Sequence, residues 1–362
     1  MPRQPRLNLP GLFYHVMVRG IERRRIFRCP ADYLDFLRRL GDGLSKTGCR
    51  CFAWALMPNH LHLLLLSGVR GLVSLMHPLL TGYAVNFNTK YRRVGHLFQN
   101  RYKAIICEED PYFLELVRYI GLQPVRAGFL HTPEELARYP WTSHPAIIGE
   151  TADSWLEVDE VLSRFGSERL QARAAYQRFI LDGWDQGYRN DLEGGGLLRS
   201  VGGISGALAL RRSGQQQMAD VRILGSGSFV EGILHQSETL KQTSQAMTQQ
   251  WSLEELQQAI AEWTGVKTDE LTSGDRRRTV AAARALFIFA AREWLGMTGA
   301  ALGRQLGLSS GSLSKAFGRG RDLAQERQLL IHIKRKKGSN VPYSNVPYSN
   351  TAPVSALVTK RA

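Results

Sequence analysis

The sequence predicts an α+β fold, in which an antiparallel sheet with helices on one side is followed by an all-α region. Three features predict it. Short apolar, β-branched runs alternate with runs of helical spacing over residues 12–130. Two strand-like runs are joined by a tight turn, which favours antiparallel pairing. Residues 252–322 have helical spacing and little strand character.

Residues 12–66 predict the first elements of this sheet. Residues 12–19 (LFYHVMVR) are apolar, aromatic and β-branched, as in a strand. Residues 31–46 place apolar side chains at helical spacing. The runs CRCFAWALM and HLHLLLL are separated by Pro58 and Asn59, two turn-forming residues, so we expect a β-hairpin.

A helix, a strand and a helix follow the hairpin. Residues 70–91 carry apolar side chains at helical spacing, and GHLFQNRYKAIIC is typical of a strand with a turn or bulge. Asp110 followed by Pro111 predicts the start of the next helix, because an acidic N-cap precedes proline at the first helical position. Pro124 predicts its end.

The rest of the chain is predicted from composition. Residues 155–185 look helical, residues 186–230 are glycine-rich and polar, and KRKK precedes the repeat SNVPYSNVPYSN, which is typical of disorder. We therefore expect four segments: residues 1–150, a helical and glycine-rich connection over 151–245, a helical domain over 246–325, and a basic, disordered tail over 326–362.

Composition excludes several classes of protein. No stretch approaches the roughly 18 apolar residues of a membrane span, and MPRQPRLNLPGLFYHV lacks the apolar run of a secretory signal. The four cysteines have no zinc-ribbon spacing and suit a reducing compartment. These features favour a cytoplasmic protein with no membrane partner.

Positive charge is concentrated at the two ends of the chain. The net charge is +15; residues 1–100 carry +11, residues 301–362 carry +9, and the middle carries −5. A solvated basic face needs no partner, but two separate basic regions favour two surfaces that bind nucleic acid. The first region contains the candidate phosphate contacts Arg19, Arg23, Arg24, Arg25 and Arg28.

His60 and His62 form the first candidate site. Side chains alternate across a strand, so both imidazoles face one side and can bind one divalent ion. With an oxygen ligand and open positions, the site would suit Mg²⁺ or Mn²⁺. Two strand histidines bonded to neighbouring side chains would give the same pattern.

Tyr119 and Gln123 extend this site. They are four residues apart near the end of the helix that begins at Asp110, so one helix face would carry both. The Gln123 amide can supply the oxygen ligand, and the Tyr119 phenol can attack a phosphodiester. Tyr119 can also be a core residue, and Tyr102 and Tyr112 are competing nucleophiles that have no amide residue four positions on.

The segments WALMPNHLHLLL and VRYIGLQPVRAGF resemble the two signature segments of the HUH-type single-tyrosine transposases, with a closer likeness to their REP-associated branch. FYHVMVRGIERRRIF, LFQNRYKA and ELARYPWTSH also match, so the resemblance covers residues 8–150. It implies a ferredoxin-like sheet and an enzyme that cuts single-stranded DNA at hairpin-associated sites through a covalent 5′-phosphotyrosine. By resemblance, His60, His62 and Gln123 hold the metal and Tyr119 is the nucleophile.

Two points separate the branches of this family. Glutamine at 123 is typical of insertion-sequence members, whereas REP-associated members often carry asparagine; either amide offers a carbonyl oxygen. Insertion-sequence members share active sites between two subunits and REP-associated members often act alone, so the chain is expected to be a monomer or a homodimer.

A second constellation lies in the C-terminal region. Thr298 predicts the cap of a helix over 299–306, Gly307 and Leu308 a turn, and Ser309 or Ser310 the cap of a second helix that ends near Phe317. This is helix-turn-helix organisation, and the region resembles the DNA-binding domain of the replication initiator DnaA over residues 250–322. An ordinary helical hairpin would give the same pattern. The residues expected to face double-stranded DNA are Ser310, Ser312, Ser314, Lys315, Arg319 and Arg321.

The sequence therefore predicts a nucleoid-associated, metal-dependent transposase that nicks and joins hairpin-forming DNA. Two other functions stay open. One is a DNA-binding regulator that keeps the catalytic fold without its activity, and the other is a metal-dependent RNA-processing protein that uses the same basic sheet.

Overall fold

The computed structural model describes residues 6–187, 189, 192 and 219–326. The chain divides into two compact units, Met1–His235 and Gln236–Ala362. The strands are β1 Phe13–Arg19, β2 Arg50–Met57, β3 His60–Leu66, β4 Lys103–Cys107 and β5 Ile223–Leu224. The helices before β5 are α1 Pro30–Thr47, α2 Val73–Lys90, α3 Glu109–Gly121, α4 Gln123–Arg126, α5 Pro133–Arg138, α6 His144–Ile148, α7 Val158–Ser163 and α8 Arg169–Asp182. Those after it are α9 Gly227–Gln250, α10 Leu253–Thr264, α11 Thr268–Thr272, α12 Arg278–Trp294, α13 Gly299–Leu306 and α14 Ser310–Glu326.

The sheet has five strands in the order β2-β3-β1-β4-β5. The first four are antiparallel to their neighbours and follow the chain order β1-α1-β2-β3-α2-β4 of a ferredoxin-like fold. The predicted α+β class is confirmed, and the hairpin turns at Pro58 and Asn59 as expected. In addition, β5 pairs parallel to β4 and makes the sheet mixed.

Both faces of the central strands are buried. One face carries mainly apolar side chains, and the other carries the histidines. Tyr14, Val16 and Val18 of β1 face one side and are at most 3% exposed. The other side carries the histidines, and α3 packs there, with the Phe113 ring 5.4 Å from that of Phe13. α1 and α2 pack against each other through an edge-to-face pair of Phe36 and Tyr83. Helix α3 therefore covers the face on which the candidate site lies.

The structure corrects several predicted boundaries in this unit. Helix α3 has Glu108 as its N-cap and ends at Gly121; Pro124 does not end it but lies in the first turn of α4. Proline fits there because the first helical positions need no backbone N–H donor. Only the last five residues of GHLFQNRYKAIIC form a strand, and the helical stretch 155–185 is two helices, α7 and α8.

The region predicted as a loose connection, 186–230, contains β5 and the start of α9. β5 forms because the edge of β4 offers partners: the Ile106 and Glu108 amides donate to the Arg222 and Leu224 carbonyls at 2.8 Å. A two-residue strand has no periodicity that a sequence could reveal. Much of this connection, and the tail after residue 326, lie outside the described residues.

The second unit is helical as predicted. The Thr298 hydroxyl accepts a hydrogen bond from the Ala301 amide, and Gly307 takes the left-handed conformation that ends α13, both as expected. The following helix α14 does not end near Phe317 but continues to Glu326. Within the described residues, no helix is long and apolar enough to cross a bilayer.

Gly320 allows α14 to approach α12 closely. A Cβ atom at this position would lie 1.8 Å from the Ala285 carbonyl oxygen, whereas a Cβ at Gly318 of the same helix would meet nothing within 4 Å. The backbones of the two helices touch at Gly320, so this glycine is required by packing.

We predict that Gly320→Ala lowers the free energy of unfolding by about 1–3 kcal/mol because the helices must separate. Gly318→Ala is the matched control and should be neutral or stabilising by up to about 1 kcal/mol, since alanine favours a helix. Urea unfolding of both full-length variants measures this. Equal stability of the two would contradict the close approach.

His144 is a buried histidine at the start of α6. Its Nδ1 lies 3.2 Å from the Tyr176 hydroxyl, and burial lowers its pKa to about 4. The unfolded chain therefore takes up a proton near pH ~6.5, while the folded chain does not until about pH 4. The folded state thus loses stability as the pH falls through this window.

We predict that, between pH 7 and pH 5, the wild-type chain loses about 2 kcal/mol more unfolding free energy than His144→Gln does. The variant has no group to titrate at this position, so the difference isolates His144. Denaturant titrations at both pH values measure it. Parallel pH profiles for the two proteins would be inconsistent with a buried neutral imidazole.

Candidate active site

His60 and His62 project from one face of β3, as predicted. Their ring centroids are 5.3 Å apart. His60 lies at the start of the strand, half-buried, with Nδ1 2.7 Å from the Asn59 Oδ1 atom. His62 is 3% exposed. Its pKa is held well below the ordinary value, by burial first and then by nearby His15, so the imidazole is neutral near pH 7, the form that binds metals.

A third histidine, His15, lies beside this pair. The register of β1 and β3 places Met17 opposite His62, so His15 is one position further along the same face. Its Nε2 lies 3.0 Å from His62 Nδ1, and its Nδ1 lies 3.1 Å from the Leu192 carbonyl oxygen. The sequence analysis missed this residue, because its proximity to His62 depends on a pairing that alternation within β1 does not reveal.

Tyr119 reaches the histidines from α3. Its ring centroid is 6.0 Å from those of both His15 and His62, in edge-to-face geometry. The Arg126 guanidinium lies over the ring, 4.7 Å from its centroid, and donates to the Tyr119 carbonyl at 2.7 Å. Arg126 was also missed by sequence reasoning. The structure therefore brings the predicted nucleophile close to His62, one of the two predicted imidazoles.

Gln123 lies close by, but not on the helix that carries Tyr119. It begins α4 and is 1% exposed, and its Nε2 donates a long hydrogen bond of 3.5 Å to the Tyr119 carbonyl. Of the competing tyrosines, Tyr102 instead stacks with the Arg6 guanidinium, 3.8 Å from its ring centroid, and Tyr112 is half-buried on α3.

The candidate site is buried. Tyr119 is 1% exposed. Main chain that follows α8 contributes to this burial: the Gln186 carbonyl accepts from Arg126 Nε at 3.1 Å, and the Leu192 carbonyl lies against His15. A DNA strand can therefore reach the phenol only if the groups that bury it move.

The donor set fits a divalent metal ion. His60 and His62 both use Nδ1 in the hydrogen bonds above, so Nε2 is the nitrogen that a metal would take. Two imidazoles and an amide oxygen are suitable ligands for an intermediate divalent metal. Over the described residues, no group of three or more His, Cys, Asp or Glu side chains is arranged to hold a metal, so a third ligand would have to be of another type, as Gln123 is.

The predicted basic loop, residues 19–28, lies directly beside this site. Arg19 is the register partner of His60, and the Gly20 and Ile26 amides donate to the Asn59 and Pro58 carbonyls at 2.8 Å. Gly20 is needed there, since a Cβ atom would lie 2.1 Å from the Arg24 carbonyl oxygen. The loop is thus fixed to the hairpin turn that precedes His60.

The five predicted arginines are all exposed but differ in their contacts. Arg24 pairs with Glu22 at 2.7 Å, and the Arg28 guanidinium lies 4.5 Å from the Tyr91 ring centroid. Among the described residues, no ion pair engages Arg19, Arg23 or Arg25.

Two further arginines, missed from sequence, lie on the segment that pairs with this loop. Arg92 and Arg101 are exposed. They flank Leu97 in sequence, and the Leu97 carbonyl accepts a hydrogen bond of 3.0 Å from the Ile21 amide of the loop. The basic surface therefore extends beyond residues 19–28.

The predicted helix-turn-helix residues are on two sides of α14. Ser312, Lys315 and Arg319 line a cleft of about 230 Å³ with Ala281, Arg284 and Ala285 of α12. Ser310 and Ser314 do not line it, and Arg321 is near Asp322 at 3.4 Å. The stripe of Ser312, Lys315 and Arg319 thus faces the cleft. The six predicted residues do not all lie on one face of α14.

The first part of the chain is similar to a known family. Residues 8–123 match the family model described as "Transposase IS200 like". This transposase-like segment contains His15, His60, His62, Tyr119 and Gln123, while Arg126 lies just beyond it. The match supports a transposase-type, DNA-processing function for this segment.

The similarity to solved structures is low. A solved structure of a REP-associated tyrosine transposase bound to a REP hairpin matches with 16% identity and a TM-score of 0.34, covering 44% of this chain and 90% of that one. No curated protein matches this chain.

Proposed function

We propose that this chain is a metal-dependent endonuclease and strand transferase that nicks and rejoins hairpin-forming single-stranded DNA through a covalent 5′-phosphotyrosine at Tyr119. The observation that carries the proposal is the position of the Tyr119 ring, 6.0 Å from His62, within a segment that matches a transposase family. A Mg²⁺ or Mn²⁺ ion bound by His60, His62 and Gln123 would polarise the scissile phosphate.

The chemistry requires only the phenol as covalent partner. The Tyr119 oxygen forms a bond to phosphorus, the bond from phosphorus to the 3′-oxygen breaks, and the phenolic proton passes to solvent or to the leaving oxygen. The Arg126 charge over the ring favours the negative charge that develops on the phenol oxygen. Attack by a 3′-hydroxyl reverses the step, so no nucleotide cofactor is consumed.

The basic loop would hold the DNA beside the phenol. Arg19 is opposite His60, and Arg23 and Arg25 are exposed on the same loop, so phosphates bound there would continue towards the imidazoles. In the second unit, the stripe of Ser312, Lys315 and Arg319 is proposed to contact double-stranded DNA and keep the enzyme near its target.

The burial of Tyr119 favours a second candidate function. A DNA-binding regulator that keeps this fold without cleaving would need no access to the phenol, and Tyr119 is only 1% exposed. Cleavage instead requires that the groups burying Tyr119 be displaced when DNA binds. A nicking assay separates the two functions.

We predict that Tyr119→Phe reduces nicking of a hairpin oligonucleotide with single-stranded flanks to background, and removes the covalent protein–DNA adduct, while binding in EDTA is unchanged. Denaturing gels with 5′- and 3′-labelled DNA measure cleavage and adduct together. Tyr112→Phe, on the same helix, is the matched control and should keep both.

Normal nicking by Tyr119→Phe would remove the proposed nucleophile. Absence of nicking by the wild-type chain, with tight hairpin binding, would favour the regulator. Cleavage of a matched RNA hairpin without an adduct would favour an RNA-processing protein.

We predict that the double variant Arg23→Ala/Arg25→Ala binds hairpin DNA more weakly and with a smaller salt dependence. Each lost phosphate contact should reduce the slope of log K against log salt concentration by about 1. Fluorescence anisotropy at several salt concentrations measures it. Arg38→Ala is the control, because Arg38 is an exposed arginine already paired with Asp35 and Asp42; an equal change in slope there would exclude a specific role for the loop.

A further inference from the structure

Val94 lies at the tip of the turn that follows α2, with its side chain almost entirely in solvent. It is 98% exposed, the highest value among the large apolar side chains that are exposed in the described part of the chain. A single exposed apolar side chain is common on protein surfaces and needs no partner. The way in which this turn is held, and what surrounds it, distinguish Val94 from that ordinary case.

Asn88 fastens the turn on both sides of Val94. Its Nδ2 donates to the Gly95 carbonyl at 2.9 Å, and its Oδ1 accepts from Arg93 Nη1 at 3.2 Å. The Arg93 amide also donates to the Asn88 carbonyl at 2.8 Å. One residue near the end of α2 therefore fixes the chain before and after Val94, so the valine is presented to solvent by a constrained turn.

The backbone of this turn is in an unfavourable conformation. Arg92 has a φ of 48°, in the left-handed region that favours glycine. Within the described ranges, the other non-glycine residues with positive φ are Glu22 and Arg23, which lie in the basic loop. Conformations of this kind persist only where surrounding contacts impose them, and they concentrate at functional sites.

The turn is attached to the basic loop. The Leu97 carbonyl accepts from the Ile21 amide at 3.0 Å, and the Gln99 amide donates to the Arg19 carbonyl at 2.9 Å. Val94 is three residues from Leu97, so their Cα atoms are at most about 11 Å apart. The valine therefore lies near the basic loop, at the end of the sheet where β3 begins with His60.

The surroundings of Val94 are basic. Residues 43–107 contain no Asp or Glu, and the neighbouring Arg92 is exposed. An apolar tip beside cations, with no carboxylate in the segment, is complementary to a nucleic acid, because the cations bind phosphates and the apolar group contacts a base. In a continuous duplex the bases cover each other, and separating them costs free energy. Where a hairpin stem ends, one face of the last base pair is already open.

We infer that Val94 is an apolar wedge that contacts the open face of a base where a hairpin stem meets its single-stranded flank, while Arg92 binds an adjacent phosphate. The inference rests on the hairpin substrate of the proposed function and adds to it a residue that determines which DNA structure is bound. Val94 does not touch the reacting atoms. Its contact selects the junction between stem and flank as the position at which DNA lies along the basic loop.

Affinity for matched DNAs tests the wedge. With the full-length chain in EDTA, Val94→Ser should weaken binding of a hairpin with a single-stranded flank about 5–20-fold, because part of the apolar contact is lost. Binding of a continuous duplex with the stem sequence should change less than about twofold, since that duplex offers no open base face. Val94→Leu keeps an apolar side chain and should stay within about threefold of wild type. Wild-type affinity of Val94→Ser for the flanked hairpin would overturn the inference.

Val69→Ser is the matched control. Val69 is also an exposed valine in a turn, directly before an arginine, but it follows the other end of β3. Its affinity for the flanked hairpin should equal that of wild type. An equal loss of affinity in Val69→Ser and Val94→Ser would overturn a specific role for the turn after α2.

The salt dependence separates the two contacts. Val94→Ser removes no phosphate contact, so the slope of log K against log salt concentration should be unchanged. Arg92→Ala should reduce the slope by about 1. A reduced slope in Val94→Ser would overturn the base contact, and an unchanged slope in Arg92→Ala would exclude Arg92 from the phosphate.

The position of the contact can be read from the DNA. The fluorescent base 2-aminopurine is brighter when it is unstacked, and it is placed either at the last pair of the stem or in the middle of the stem. Wild-type protein should raise the signal at the last pair and leave the mid-stem signal unchanged, and Val94→Ser should lose the rise. A rise that persists in Val94→Ser would overturn the inference.

These results are distinguishable from a failure of the proposed function, because binding and fluorescence are measured without metal and without cleavage. If both depend on Val94 as expected but the chain never nicks DNA, the nuclease proposal fails and the inference stands. If the chain nicks the hairpin while Val94→Ser has wild-type affinity and fluorescence, the inference fails and the nuclease proposal stands.

Discussion

The register between β1 and β3 is the constraint on which the candidate site depends. Met17 lies opposite His62 and Arg19 opposite His60, so one pairing brings His15 to His62 and the basic loop to His60. A shift of one residue would turn the β1 side chains to the other face. The pairing is secured because both faces of β1 are buried, under α3 on one side and by apolar packing on the other.

Burial of this site has two consequences: it requires hydrogen-bond partners for the imidazoles, and it limits the access of DNA to Tyr119. Imidazoles in a dry environment must satisfy their hydrogen bonds, and here they do so through neighbours that end on backbone carbonyls. Burial, and then the neighbouring His15, keep the pKa of His62 well below its ordinary value. Tyr119 is buried as well, so a phosphodiester reaches the phenol only when the groups around it move.

Charge is organised differently in the two units. In the first, exposed arginines lie on a loop that is hydrogen-bonded to the turn before His60, so this positive charge lies beside the candidate site. In the second, Lys315 and Arg319 line a cleft between two helices whose backbones touch at Gly320.

The sequence by itself determined the local features: the α+β class, the hairpin at Pro58 and Asn59, the shared face of His60 and His62, and the cap at Thr298. These follow from alternation, turn chemistry and capping, which depend only on neighbours along the chain. Only the tertiary structure decided that His15 joins the site, that Gln123 begins α4, that β5 extends the sheet, and that Tyr119 is enclosed. Each of these depends on which distant segments pair, and a periodic pattern reports which face a side chain is on but not what lies opposite it.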